Sequence, residues 1–127
     1  VQIGSAGDPP LRGVVNLCGR TALRDTAVVL FHARGFLGPV GFLMHLARAV
    51  GCPAVIVYGG RETPELTGYA CNINLTRSPA CAPCWQRARC DHGRICMEEL
   101  LAAEAVAALE TLLSRPRGPL ATAAATI

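Results

Sequence analysis

Phe36-Leu37-Gly38-Pro39-Val40-Gly41-Phe42-Leu43-Met44-His45-Leu46-Ala47-Arg48-Ala49-Val50-Gly51-Cys52-Pro53-Ala54-Val55-Ile56-Val57-Tyr58 reads in five pieces. A short apolar strand enters and a glycine-containing turn follows it. One helix then carries Phe42, Leu43, Leu46, Ala49 and Val50, apolar nearly all round, which predicts burial. Gly51 stops that helix and Pro53 forbids its continuation. Ala54 to Tyr58 is an unbroken apolar run rich in valine and isoleucine, the composition of a strand buried on both faces of a parallel sheet. Strand, helix and strand in this order predict a βαβ unit. Its first turn brings backbone N–H groups and His45 to the carboxyl edge of the sheet, where open α/β sheets bind ligands.

The rest of the chain is consistent with one domain built around that unit. Its 127 residues are enough for a real core. At 51% hydrophobic and 17% charged residues it is globular in composition. The net charge of +3 is small, and every basic residue is a scattered arginine, so no nucleic-acid surface is expected. No apolar run approaches the ~18 residues of a membrane span. No basic stretch leading into an apolar one opens the chain, so no secretory signal is expected and the predicted location is cytoplasmic. Val1-Gln2-Ile3-Gly4 resembles a strand already in progress, and the chain is therefore expected to be part of a longer protein.

Outward from the central unit, Gly4 to Pro10 is loop chemistry. Val14 to Cys18 predicts a second short strand. Thr21 is the expected N-cap of a helix over Ala22 to Ala33, with Gly35 as its stop. After Tyr58, Gly59 to Tyr69 is a long aperiodic loop, a feature more often functional than accidental. Ala70 to Leu75 suggests another strand. A helical pattern resumes at Met97, is strongest over 103–113, and ends at Pro116. The predicted domain covers 1–115, and the alanine-rich residues 116–127 are expected to be a disordered tail.

Cys81, Cys84, Cys90 and Cys96 follow Cys-x2-Cys-x5-Cys-x5-Cys. That spacing suits a knuckle over residues 81–96 holding a structural zinc or iron ion, with His92 able to replace one thiolate. Structural cysteines, reduced or disulfide-bonded, are a second reading. Redox chemistry is a third, weakened because no βα context follows the pair. Trp85 is expected to cover the knuckle.

Several motifs in sequence order resemble those of the heptosyltransferases, glycosyltransferase family 9, which have the two-domain GT-B fold. Leu17-Cys18-Gly19-Arg20-Thr21-Ala22-Leu23 is similar to the family's L-x-G-x-T-x-L. Phe36-Leu37-Gly38 with Met44-His45-Leu46-Ala47 is similar to F-V-G-x-D-x-G-x-M-H-L-A. Tyr58-Gly59-Gly60 with Thr63-Pro64 resembles F-G-x-T-x-P, Gly68-Tyr69 resembles G-P-Y-G, and the cysteine segment is similar to one in many members. In the branch that glycosylates autotransporter proteins such a segment holds iron. The resemblance covers roughly residues 1 to 114.

The resemblance implies a Rossmann-like C-terminal domain that binds a nucleotide-sugar such as ADP-heptose. The acceptor, a lipopolysaccharide core or a protein, would be held by an N-terminal domain of the full-length chain. It implies no metal in catalysis. It places Gly38 to Gly41, Met44 and His45 against the diphosphate and the Gly4 to Asp8 loop near the adenosine. Gly59, Gly60 and Arg61 in the second loop become donor-binding candidates. A helix N-terminus suits a diphosphate through its free N–H groups and dipole, and His45, the catalytic candidate, can donate to a phosphate oxygen as the nucleotide departs. One position departs from the pattern: Val40 stands where the family has aspartate, and a valine accepts no hydrogen bond.

Plainer readings compete with each assignment. His45 can be a structural histidine, although its place in the turn favours phosphate contact. Asp8 has local turn chemistry to perform, Arg61 and Glu62 can be a solvated pair, and Met44 suits a core as well as a site. His32 is read as a surface or capping residue. Two other functions stay open: a non-catalytic nucleotide-binding module descended from such enzymes, which Val40 favours, and an interaction module built on the cysteine knuckle.

Overall fold

A computed structural model describes residues 1–86 and 89–116 of the chain. Its elements are α1 (Leu23–His32), β1 (Phe36–Pro39), α2 (Phe42–Ala49), β2 (Ala54–Val57), the single turn α3 (Pro64–Thr67), β3 (Ile73–Leu75), the single turn α4 (Ile95–Glu98) and α5 (Ala102–Ser114). The three strands form one parallel sheet in the order β1-β2-β3, with Phe36 opposite Ala54 and Val55 opposite Ile73. The central strand–helix–strand unit is therefore present as expected, and the architecture is α/β and Rossmann-like.

Period-two alternation along β2 divides the core between the two faces of the sheet. Ala54, Ile56 and Tyr58 join Met44, Ala47, Phe36 and Leu30 in one buried cluster beneath α2. Val55, also fully buried, lies outside that cluster, and α5 packs across β2 and β3 with Leu112 as its buried residue. Burying side chains of this size contributes roughly 1.5–3 kcal/mol each.

Gly51 stops α2 in the way its sequence position implies. It takes φ +71°, its N–H bonds the carbonyl of Arg48, and the Cys52 N–H bonds that of Ala47. This crossed pair satisfies two carbonyls that the helix leaves open. Pro53 then starts the turn into β2, and its carbonyl accepts the Phe36 N–H at 2.9 Å.

Five local expectations are corrected. Thr21 does not cap α1. The cap position is Ala22, whose N–H is taken by the Asp25 carboxylate, while the Thr21 hydroxyl pairs with Thr26 at 2.9 Å. Val14 to Cys18 is not a strand but a single parallel bridge between Gln2 and Asn16. There the Asn16 side-chain oxygen accepts the Cys18 N–H and turns the chain away. Gly35 does not end α1 by a left-handed turn. It clears room for Leu112, whose Cδ2 lies 2.8 Å from where a Cβ would stand. Phe42 is not buried: it is 61% exposed, and the buried face of α2 is Met44 and Ala47. The helix predicted from Met97 is divided into α4 and α5, and α5 ends at Ser114, before Pro116. The tail expectation falls on residues that, from 117 onward, lie outside those described.

Candidate functional site

At the carboxyl end of β1 the backbone turns sharply at Gly41, with φ +153° and ψ −164°. Side chains other than hydrogen essentially never adopt this region. No atom lies within 4 Å of the place a Cβ would take, so the glycine is demanded by conformation and the space beside it is open. α2 starts at the next residue, which leaves its first N–H groups without partners inside the helix. Val40 cannot add a polar group here: it packs against the core and donates its N–H to the Val57 carbonyl at 3.0 Å.

Beside this helix start lies a cavity of about 370 Å³, lined by Gly4, Ser5, Asp8, Thr21, Leu23, Thr26, Phe42 and Leu43. Its size falls in the range of small-molecule sites. Three segments meet there, each just past the carboxyl end of a parallel segment: the loop after Gln2, the start of α1 after Asn16, and the start of α2 after β1. Among the described residues Asp8 is the one charged side chain in the lining. It accepts the Ser5 N–H at 2.8 Å and the Ser5 hydroxyl at 2.9 Å, so the local turn chemistry and the cavity position coexist. Gly4 is held to glycine because a Cβ would run into the Asp8 carboxylate. The Thr26 hydroxyl bonds the Ala22 carbonyl at 3.1 Å and faces Thr21, which gives the α1 wall a fixed pair of hydroxyls.

His45 does not line this cavity. It lies exposed one turn into α2, on the flank facing the β2–β3 connection. Its Nδ1 is 2.8 Å from the Tyr69 hydroxyl, the rings stand edge to face, and the Arg48 guanidinium sits 5.9 Å from the Tyr69 ring centroid. The Met44 side chain is fully buried, and its sulfur accepts the Tyr58 hydroxyl at 3.3 Å in the core. Burial pushes the Tyr58 phenol above its ordinary range, so that proton stays in place.

The remaining glycines turn out to be packing glycines. Gly38 lies beneath the ring of Phe36, two residues back on the same face of β1, which covers the position of its absent Cβ. Gly59 faces Met97. Gly60 is buried, and a Cβ there would meet the Cys96 Cβ at 3.1 Å and Ala82 at 3.4 Å. The Gly60 carbonyl accepts the Cys84 N–H at 2.9 Å, and that of Arg61 accepts the Trp85 N–H at 3.2 Å. The second turn of the carboxyl edge is thus filled by the cysteine segment, leaving the Arg61 side chain exposed outside it.

The four cysteines of the knuckle expectation lie in this segment. Among the described residues no three His, Cys, Asp or Glu side chains gather as a metal-holding group. Cys81, Cys84, Cys90 and Cys96 are all half-buried free thiols. The segment packs on the Gly60–Arg61 backbone through backbone amides and small side chains. Trp85, expected to cover the knuckle, is 55% exposed.

Sequence reading missed Thr21, Thr26, Phe42 and Leu43 as cavity residues and Tyr69 as the partner of His45. The aperiodic loop carrying Tyr69 was a signal, but a pairing 24 residues apart has no local signature.

Comparison with known proteins agrees with the geometry. The model of glycosyltransferase family 9 (heptosyltransferase) matches residues 8–93, more than half of the chain. No curated protein and no solved structure gives a match. The matched span holds six of the eight residues named in the cavity lining, the α2 turn, His45, Tyr69 and most of the cysteine segment. The chain belongs to glycosyltransferase family 9, and its general activity class is glycosyl transfer. No helix among the described residues is long and apolar enough to cross a membrane.

Proposed function

We propose that this chain is the donor-binding domain of a glycosyltransferase that transfers a sugar, a heptose by family analogy, from a nucleotide donor such as ADP-heptose. The acceptor, a lipopolysaccharide core or a protein, is held by a separate domain. The observation that carries the reading is the cavity of about 370 Å³ at the carboxyl edge, walled by the starts of α1 and α2. Phe42 and Leu23 give it apolar surface for a flat ring, and Asp8, Ser5, Thr21 and Thr26 give it hydroxyl-directed polar groups. Among the described residues Asp8 is the only charge there, so the cavity suits a nucleoside or sugar better than a naked diphosphate. The diphosphate lies at the open Gly41 turn, where the first amides of α2 favour an anion. His45 acts as a donor to that group on the far flank of the same helix.

Calorimetric titration with ADP, ADP-heptose, UDP and ribose 5-phosphate tests this. Binding of ADP-linked ligands that Leu23→Trp abolishes, by filling the cavity from an exposed position, supports it. No heat with any nucleotide at millimolar ligand overturns it. The alternative of a non-catalytic nucleotide-binding module draws on Val40; it is favoured if ADP and ADP-heptose bind equally and transfer stays absent once the acceptor domain is supplied.

A further inference from the structure

Tyr69 is held more firmly than a loop residue needs to be. Its carbonyl accepts both the Asn72 N–H at 3.0 Å and the Asn74 Nδ2 at 3.3 Å. Asn74 belongs to β3, so the Tyr69 backbone is tied to the sheet. Its ring is flanked by His45 and by Arg48, which lie three residues apart on one face of α2. Its hydroxyl meets one ring nitrogen, His45 Nδ1, at 2.8 Å.

A phenol has one proton and is a far better donor than acceptor, while an unprotonated imidazole nitrogen is a strong acceptor. We infer that Tyr69 is a positioning residue that donates its hydroxyl proton to His45 Nδ1, fixing the imidazole as the Nε2–H tautomer. The other ring nitrogen, opposite the Tyr69 contact, then presents a single fixed N–H as a neutral donor. Partner-set tautomers of this kind determine what a histidine can do. The inference deepens the reading of His45 as a phosphate donor and rests on it for its functional meaning. The hydrogen bond itself stands on the Tyr69 geometry alone. Arg48, over the same ring, adds a positive charge on the helix face that carries His45, so an anion reaching that face meets two attractive groups.

Long-range proton–nitrogen NMR of the histidine rings tests the inference on the full chain, whose three histidines keep the spectrum simple. At a pH where His45 is neutral, the wild type should show Nε2 protonated and Nδ1 unprotonated and hydrogen-bonded. Tyr69→Phe, which keeps the ring and its contact with Arg48, should convert this to a mixture of tautomers. A wild-type Nδ1–H tautomer, or a Tyr69→Phe spectrum unchanged from wild type, overturns it.

ADP titration supplies the second arm. Tyr69→Phe should weaken ADP roughly two- to tenfold, the range of one hydrogen bond, and should have no further effect in a His45→Ala background. A second loss in that background overturns the positioning role. If the tautomer result holds but His45→Ala leaves ADP affinity unchanged, the phosphate role of His45 fails while the Tyr69 assignment survives.

Discussion

Two turns at the carboxyl edge of the same sheet carry glycines, and the structure uses them in opposite ways. After β1, Gly41 has open space where a Cβ would stand and a backbone conformation that other residues avoid. After β2, Gly60 has no positive φ, but the cysteine segment presses on it from two sides. The first glycine shapes a turn and leaves room for a ligand. The second makes room for the protein's own chain. A glycine pattern in sequence therefore marks a close approach or an unusual turn without saying which.

The comparison can be broken most severely from underneath. Met44 lies below both turns, its N–H bonded to the Gly41 carbonyl and its sulfur to the Tyr58 hydroxyl. Met44→Ala should cost about 2–5 kcal/mol, measured by denaturant unfolding, and should weaken both turns together. Gly60→Val should cost about 1–3 kcal/mol by overpacking. It should also speed alkylation of Cys96 while leaving ligand binding at the β1 cavity intact. Equal loss of ADP affinity would mean the two turns are one site. Gly41→Ala meets no steric neighbour and should cost about 1–2 kcal/mol through conformation alone; its expected signature is weaker ADP binding with unchanged thiol reactivity.

The third turn, after β3, supplies the smallest effect. Arg77 holds Glu104 at 2.6 Å, and this partner, followed by the Leu101 N–H, keeps the carboxyl below its ordinary value of 4.5. A depressed folded-state value means the pair stabilises above the unfolded carboxyl range and loses that contribution as pH falls through the folded value. Glu104→Gln should therefore lower Tm slightly at neutral pH, with the gap to wild type closing in acid below pH 4.5. A gap that persists when the carboxyl is protonated would assign the effect to packing instead.

What was legible in the sequence was what is local. The valine–isoleucine run, Gly51 and Pro53 determine β2 and the end of α2 by short-range chemistry, and the structure follows them. Motif order carried the family. What misled was residue type read without its partner. Thr21 has a capping hydroxyl, but Asp25 reaches the Ala22 N–H first and leaves Thr21 to Thr26. Met44 and His45 are neighbours in sequence yet point one to the core and one to solvent, because helical rotation separates them by about 100°. Tyr69 joined the site only through folding.

One long connection has a bearing on how the chain matures. The Arg34 guanidinium bonds the Leu113 carbonyl across 79 residues, and Leu112 seats itself against Gly35. Until α5 arrives, the β2 face bearing Val55 lacks its cover. A nascent chain from which α5 has not yet emerged therefore holds a half-clad layer of strands, so the window of greatest exposure to aggregation or chaperones closes when α5 docks.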